Sequence, residues 1–162
     1  FTHRPKALRY DYKVQVPGTP NRIRQTGFSK VTTVPGPDYC IAMLLLQKRH
    51  EDANGNITAQ RVGTVVVKYG KSTGGWVEDA TYEIHYGNIT GKSFYNAATM
   101  GLRSHDYARN SKGKSVLVKE TGWAPADATP THIVLQFSSS HGGAYVGTVG
   151  NTFWVDNVGL VY

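Results

Sequence analysis

Between Thr152 and Tyr162 an apolar and polar alternation changes phase once, at Asp156-Asn157. Side chains of a strand alternate faces with a period of two. Phe153 and Val155 therefore share a face with Val158, Leu160 and Tyr162 only if one extra residue sits between the two sets. That requirement predicts a β-bulge at Asp156-Asn157, in a strand that closes a sheet core. The same phase turns Trp154 to the opposite face.

The remainder of the chain agrees with sheet structure. Valine, threonine and tyrosine are plentiful, glycine numbers 18, and no long window carries an apolar stripe at helical spacing. A chain of 162 residues fits one domain, expected over 1–162, and buries roughly 70% of its unfolded surface without a disulfide or metal staple. Cys40, in the run Cys40 to Leu46, reads as a small buried hydrophobe and has no partner for an internal disulfide. No apolar stretch reaches the ~18 residues of a membrane helix. A strand-like pattern close behind Phe1 is expected to follow an upstream segment.

Strands follow from the pattern. Leu8, Tyr10, Tyr12, Val14 and Val16 alternate with polar residues until Pro17-Gly18 ends the run. Tyr39 to Gln47 is apolar on both faces and reads as a central strand. Asn54-Gly55 suits a tight turn, which pairs that strand antiparallel with Ile57 to Tyr69. Ala80 to Ile89 and Thr131 to Ser138 alternate as strands. A short helical turn is expected around Asn96 to Leu102, and a strand at Ser115 to Lys119. Two antiparallel sheets packed face to face accommodate this set.

The net charge is +7 and uneven. Residues 1–30 hold seven cations against Asp11, and a second basic stretch runs from Lys92 to Lys119. Neither has the aromatic interleaving or motif of a nucleic-acid module. The acids form no signature that a reaction requires, Ser138 to Gly143 lacks the spacing of a nucleophile elbow, and the six histidines lack metal-ligand spacing. Asp156, a carboxylate at a bulge, is the one calcium candidate, set against a role in accepting hydrogen bonds from unpaired backbone groups. Sugar binding needs an aromatic face with amide, carboxylate or guanidinium groups beside it. Trp76, Trp123, Tyr95 and Tyr107, with Arg103, are the candidates from loops and strand ends.

Phe1 to Leu8 running into Tyr10-Asp11-Tyr12-Lys13, the aliphatic strand ending at Leu46, and the run Ser138-Ser139-Ser140-His141-Gly142-Gly143 followed by Gly147, Gly150 and Phe153 to Tyr162 together resemble a bacterial family. This is the carbohydrate metabolism domain, named for a suspected role and similar to galactose-binding-like jelly-roll modules of Gram-negative gut bacteria. The resemblance covers about two thirds of the chain. It implies a jelly-roll β-sandwich at the C-terminal end of an exported, often lipid-anchored protein, and it supplies no catalytic residues. The basic segment from Gly87 to Gly122 departs from the family as one long insertion. The expectation is a monomeric, non-catalytic carbohydrate-binding module without a cofactor. It would act at the outer-membrane surface or in the periplasm and meet a membrane only through a lipid anchor outside this chain. The alternatives are a structural or adhesive module and, third, a glycoside hydrolase.

Overall fold

The computed structural model describes residues 1–162. In chain order the elements are β1 (Ala7–Gln15), β2 (Asn21–Arg24), β3 (Thr32–Pro35), β4 (Cys40–Glu51), β5 (Ile57–Tyr69), β6 (Val77–Glu83), β7 (His85–Tyr86), α1 (Ala97–Met100), β8 (Asp106–Arg109), β9 (Ser115–Trp123), β10 (His132–Ser138), β11 (Val146–Gly147) and β12 (Thr152–Val161). Apart from one helical turn the protein is built of strands.

They form three sheets rather than two. One runs β12-β1-β6, the largest runs β10-β4-β5-β9-β8 with β7 also on β5, and a small one runs β11-β2-β3. All pairings between strands are antiparallel except β5 with β9. That parallel pair corrects the purely antiparallel expectation. β9 reaches β5 only after the chain has made a long excursion, so no hairpin signal marks the partnership.

The first sheet packs on the largest to make a sandwich. Leu8 and Tyr10 of β1 meet Ala42, Leu44, Leu46, Val62, Val65, Ile84 and Ala124 in one core. Each leucine buried there contributes about 1.5–3 kcal/mol relative to exposure. Tyrosines supply the core's polar seam, because the Tyr10 and Tyr69 hydroxyls lie 2.6 Å apart and Tyr69 donates to Tyr82 at 2.7 Å. Burial raises both the Tyr10 and the Tyr69 hydroxyl far above the usual phenol range.

The predicted bulge is present. Asp156 faces Asp11 and Gly159 faces Arg9, so one residue of β1 opposes two of β12, and Asn157 takes φ +49°. Phe153, Val155 and Leu160 pack against the core, whereas Trp154 faces outward with the Lys13 ammonium 4.9 Å from its ring. Val158 and Tyr162 stay exposed, contrary to the sealed face expected of them. Alternation fixes the direction of a side chain but not how far the opposing sheet extends.

The run Ala80 to Ile89 is not one strand. β6 pairs with β1, and after Ile84 the chain changes sheets so that β7 pairs with β5. Gly63 makes the crossing fit, since a Cβ there would lie 2.8 Å from Ile84 Cγ2.

Candidate functional site

The outer face of the largest sheet is apolar as well, with Met43 and Leu45 buried on it. The basic segment 87–122 covers part of that face. Its docking is polar: the Arg61 guanidinium donates from Nε to Glu120 Oε1 at 2.7 Å and from Nη2 to Oε2, and its remaining donors reach the Thr64 hydroxyl and the carbonyls of Met100 and Gly101 at the end of α1. Gln47 Nε2 and the Arg103 backbone N–H complete the shell of Glu120 at 2.7 and 2.8 Å. Asn96 caps α1 by accepting from the Ala98 N–H at 3.0 Å.

Where the covering stops, a groove of about 710 Å³ remains. Ile41 and Met43 of β4 and Gln136 and Ser138 of β10 form its floor. Thr99, Arg103 and His105 stand on one side, and Tyr39 with the loop His141 to Ala144 on the other. Arg103 is bound bidentately by Asp106, with both bonds at 2.7 Å, and directs Nη1 to Met43 Sδ. The Thr99 hydroxyl is buried without a hydrogen-bond partner. No carboxylate belongs to the lining.

Asp38 builds the second wall. Its side chain is 1% exposed. It accepts from the Tyr39 and His141 backbone N–H groups and His141 Nδ1 on one oxygen, and from the Thr148 N–H on the other. Burial alone would raise its pKa, yet hydrogen bonding from the His141 and Tyr39 backbone N–H groups and the His141 ring outweighs burial and holds the carboxyl below its ordinary range. With Nδ1–H directed at Asp38, the imidazole leaves Nε2 as an acceptor, and Arg22 Nη1 lies 3.3 Å from it. The His141 ring stacks on Tyr39 with centroids 3.4 Å apart, and Lys68 Nζ lies 5.1 Å from the Tyr39 ring. Burial lowers the His141 pKa; Asp38 opposes this, and Arg22 and Lys68 reinforce it.

This carboxylate and imidazole pair resembles the base of a hydrolytic triad, but its free nitrogen is taken by Arg22. The neighbouring hydroxyls turn elsewhere, Ser138 Oγ to the Ser140 carbonyl and Ser140 Oγ to the Val146 carbonyl. The arrangement therefore organises a wall rather than activating a nucleophile.

Of the residues expected to bind, only Arg103 lines the groove. Trp123 and Tyr95 pack edge to face at 6.5 Å, with the Arg61 guanidinium 5.5 Å from the indole, so Trp123 lies over one member of the buried ion pair. Tyr107 lies on the edge strand β8 and Trp76 ahead of β6, at 69% and 50% exposure. Asp156 Oδ1 accepts the N–H of Asn157 at 2.8 Å, in keeping with the hydrogen-bonding alternative, and no three His, Cys, Asp or Glu side chains converge on one point. The pairing of Asp38 with His141 is not visible in the sequence because 103 residues separate them. The acid after Pro35-Gly36-Pro37 was the available signal, since a turn brings such a carboxylate back to nearby backbone. Burial also pushes the Cys40 thiol up to about 11, as expected of an inert buried cysteine.

Comparison with family models, with curated proteins and with solved structures finds no match.

Proposed function

We propose that the protein is a non-catalytic carbohydrate-binding module, a jelly-roll variant of the sandwich, and that the groove over β4 and β10 holds the glycan. The observation that carries this reading is the composition of the groove. The Gln136 amide, the unpartnered Thr99 hydroxyl, the His105 imidazole and the N–H groups of Arg103 that Asp106 leaves over offer donors and acceptors beside the apolar Ile41 and Met43, while the Tyr39–His141 stack closes the other side. A sugar presents hydroxyls on its rim and C–H groups on its faces, which such a floor and rim match. A lining without carboxylates favours binding over hydrolysis, which needs two of them flanking the scissile bond. The resemblance to the carbohydrate metabolism domain supports the same reading, and with it an exported protein of a Gram-negative bacterium, held by a lipid anchor at the outer-membrane surface or in the periplasm.

The test is a glycan array at physiological salt, repeated at high salt to strip contacts due only to the +7 charge. Salt-resistant binding that Gln136→Leu abolishes and Trp76→Ala or Trp123→Ala leaves intact is the expected result. Loss of binding in Trp76→Ala alone would move the site to that tryptophan. No binding to any glycan would favour the adhesive module.

A further inference from the structure

The small sheet β11-β2-β3 presents an apex of unusual composition. Between β2 and β3 the chain turns through Gln25 to Val31, and this turn is well tied. Ser29 N donates to the Thr26 carbonyl and Thr26 N to Ser29 Oγ, each at 2.9 Å, and Gly27 takes φ +54°. The tied turn holds Phe28 away from the protein at full exposure, 109% of its reference value. Beside it, Gln25 N donates to the carbonyl of Tyr145, which is 66% exposed and takes φ +65°, a conformation a bulky residue rarely adopts. Val31, also exposed, stands next to β3 at the same end.

Charge gives this apolar apex its partner. Arg22 and Arg24 lie on β2 and Lys30 in the turn. Residues 12–37, which supply β2 and β3, contain no acid, and neither do residues 128–155, which supply β11. The nearest carboxylate in sequence to this sheet, Asp38, is buried under four hydrogen bonds. We propose that this apex docks on an anionic lipid bilayer, with Phe28 and Tyr145 entering the headgroup zone and Arg24 and Lys30 meeting lipid phosphates. A convex tip with aromatic residues outermost and cations behind them matches the depth profile of that interface. A nucleic acid would need a basic strip along which to run, and a protein pocket would leave the flanking cations without a defined counter-charge. The contact is independent of the groove. It would add a second membrane contact to any lipid anchor, whereas the sequence led us to expect membrane association through an anchor alone.

Co-sedimentation with phosphatidylcholine vesicles, with and without phosphatidylglycerol, tests this on the full chain. The expected result is binding to the anionic vesicles, weakened about tenfold or more by Phe28→Asp and likewise by Arg24→Glu combined with Lys30→Glu. In Phe28→Trp, quenching by brominated lipid is expected to rise above that of the parent protein. These positions are exposed, and an unchanged thermal melt verifies that each variant folds. Equal binding to neutral and anionic vesicles, or none to either, overturns the proposal. So does vesicle binding that responds to the charge reversal but not to Phe28→Asp, or brominated-lipid quenching in Phe28→Trp no greater than in the parent, because either outcome describes a general polyanion contact without insertion.

Discussion

Arg61 and Glu120 form a bidentate ion pair with both side chains wholly withdrawn from solvent. The pair joins β5 to the parallel strand β9 and, through the carbonyls of Met100 and Gly101, fixes the segment around α1 on the sheet. Taking two charges out of water is costly, and the geometry repays that cost only while both partners are present. Glu120→Gln leaves the guanidinium buried without its counter-charge and is expected to lower unfolding free energy by about 3–5 kcal/mol in urea titrations. Arg61→Met combined with Glu120→Leu is expected to lose less than that single change. Hydrogen exchange should accelerate in 96–106 before it does in β1. A Glu120→Gln protein as stable as the parent would remove the ion pair from its anchoring role.

The sheet crossing between β6 and β7 depends on the absence of one side chain. A Cβ on Gly63 would meet Ile84 Cγ2 at 2.8 Å and Leu46 Cδ1 at 3.2 Å, both inside the core. Neither neighbour can retreat into solvent, so Gly63→Ala is expected to destabilise by about 1–3 kcal/mol, the range for overpacking a filled interior. Gly70→Ala, with open space around its Cβ position, serves as the control and should change the denaturation midpoint little.

The sequence made the all-β class, the Asn54-Gly55 hairpin, the central position of β4, the helical turn at Asn96 and the bulge near Asp156-Asn157 legible, because each is written in local alternation or turn chemistry. What escaped is nonlocal. The parallel pairing of β5 with β9 and the short strands β2, β3, β8 and β11 are decided by tertiary contacts that leave no period in four residues or fewer. The groove was hidden for the same reason. Asp38, Gln136 and His141 are ordinary polar residues until the fold brings them together, whereas the conspicuous Trp123 lies against the buried Arg61 guanidinium with Tyr95 packed on its ring.

The bulge of β12 places Asn157 at φ +49°, and its side-chain amide donates to Asp11 Oδ2 at 2.6 Å. The other oxygen of Asp11 accepts the backbone N–H of Asp79, a second residue at positive φ, on the strand to the other side. One carboxylate therefore ties the irregularities of both neighbouring strands. Asparagine tolerates the left-handed region and a β-branched residue does not, so Asn157→Val is expected to cost about 1–2 kcal/mol from backbone conformation alone. Asn157→Gly keeps the conformation and loses only the amide, and should lie nearer the parent. Equal losses in the two variants, measured by thermal melts, would show that the side-chain bond rather than the dihedral sets the cost.

Acid should loosen the wall of the groove through His141. Its pKa in the folded protein lies below the ordinary histidine value of 6.5, chiefly because burial disfavours the charged ring. The unfolded chain therefore takes up this proton first as pH falls, and folding stability declines from about pH 6.5 downward until the folded form is protonated as well. Asp38, held below 3.8, acts in the same direction at lower pH: its contribution is present above 3.8 and is lost as pH falls through the folded value. His132, also lowered by burial, adds to the first decline. The melting temperature is thus expected to fall between about pH 7 and about pH 5, and His141→Gln should flatten part of that slope while His132 preserves the rest. Protonation also turns Nε2 into a donor 3.3 Å from Arg22 Nη1, replacing an acceptor with a like charge. NMR titration of the His141 ring with the Arg22 side chain should consequently show both shifting with one midpoint below 6.5, and a His141 midpoint at or above that value would refute the burial argument.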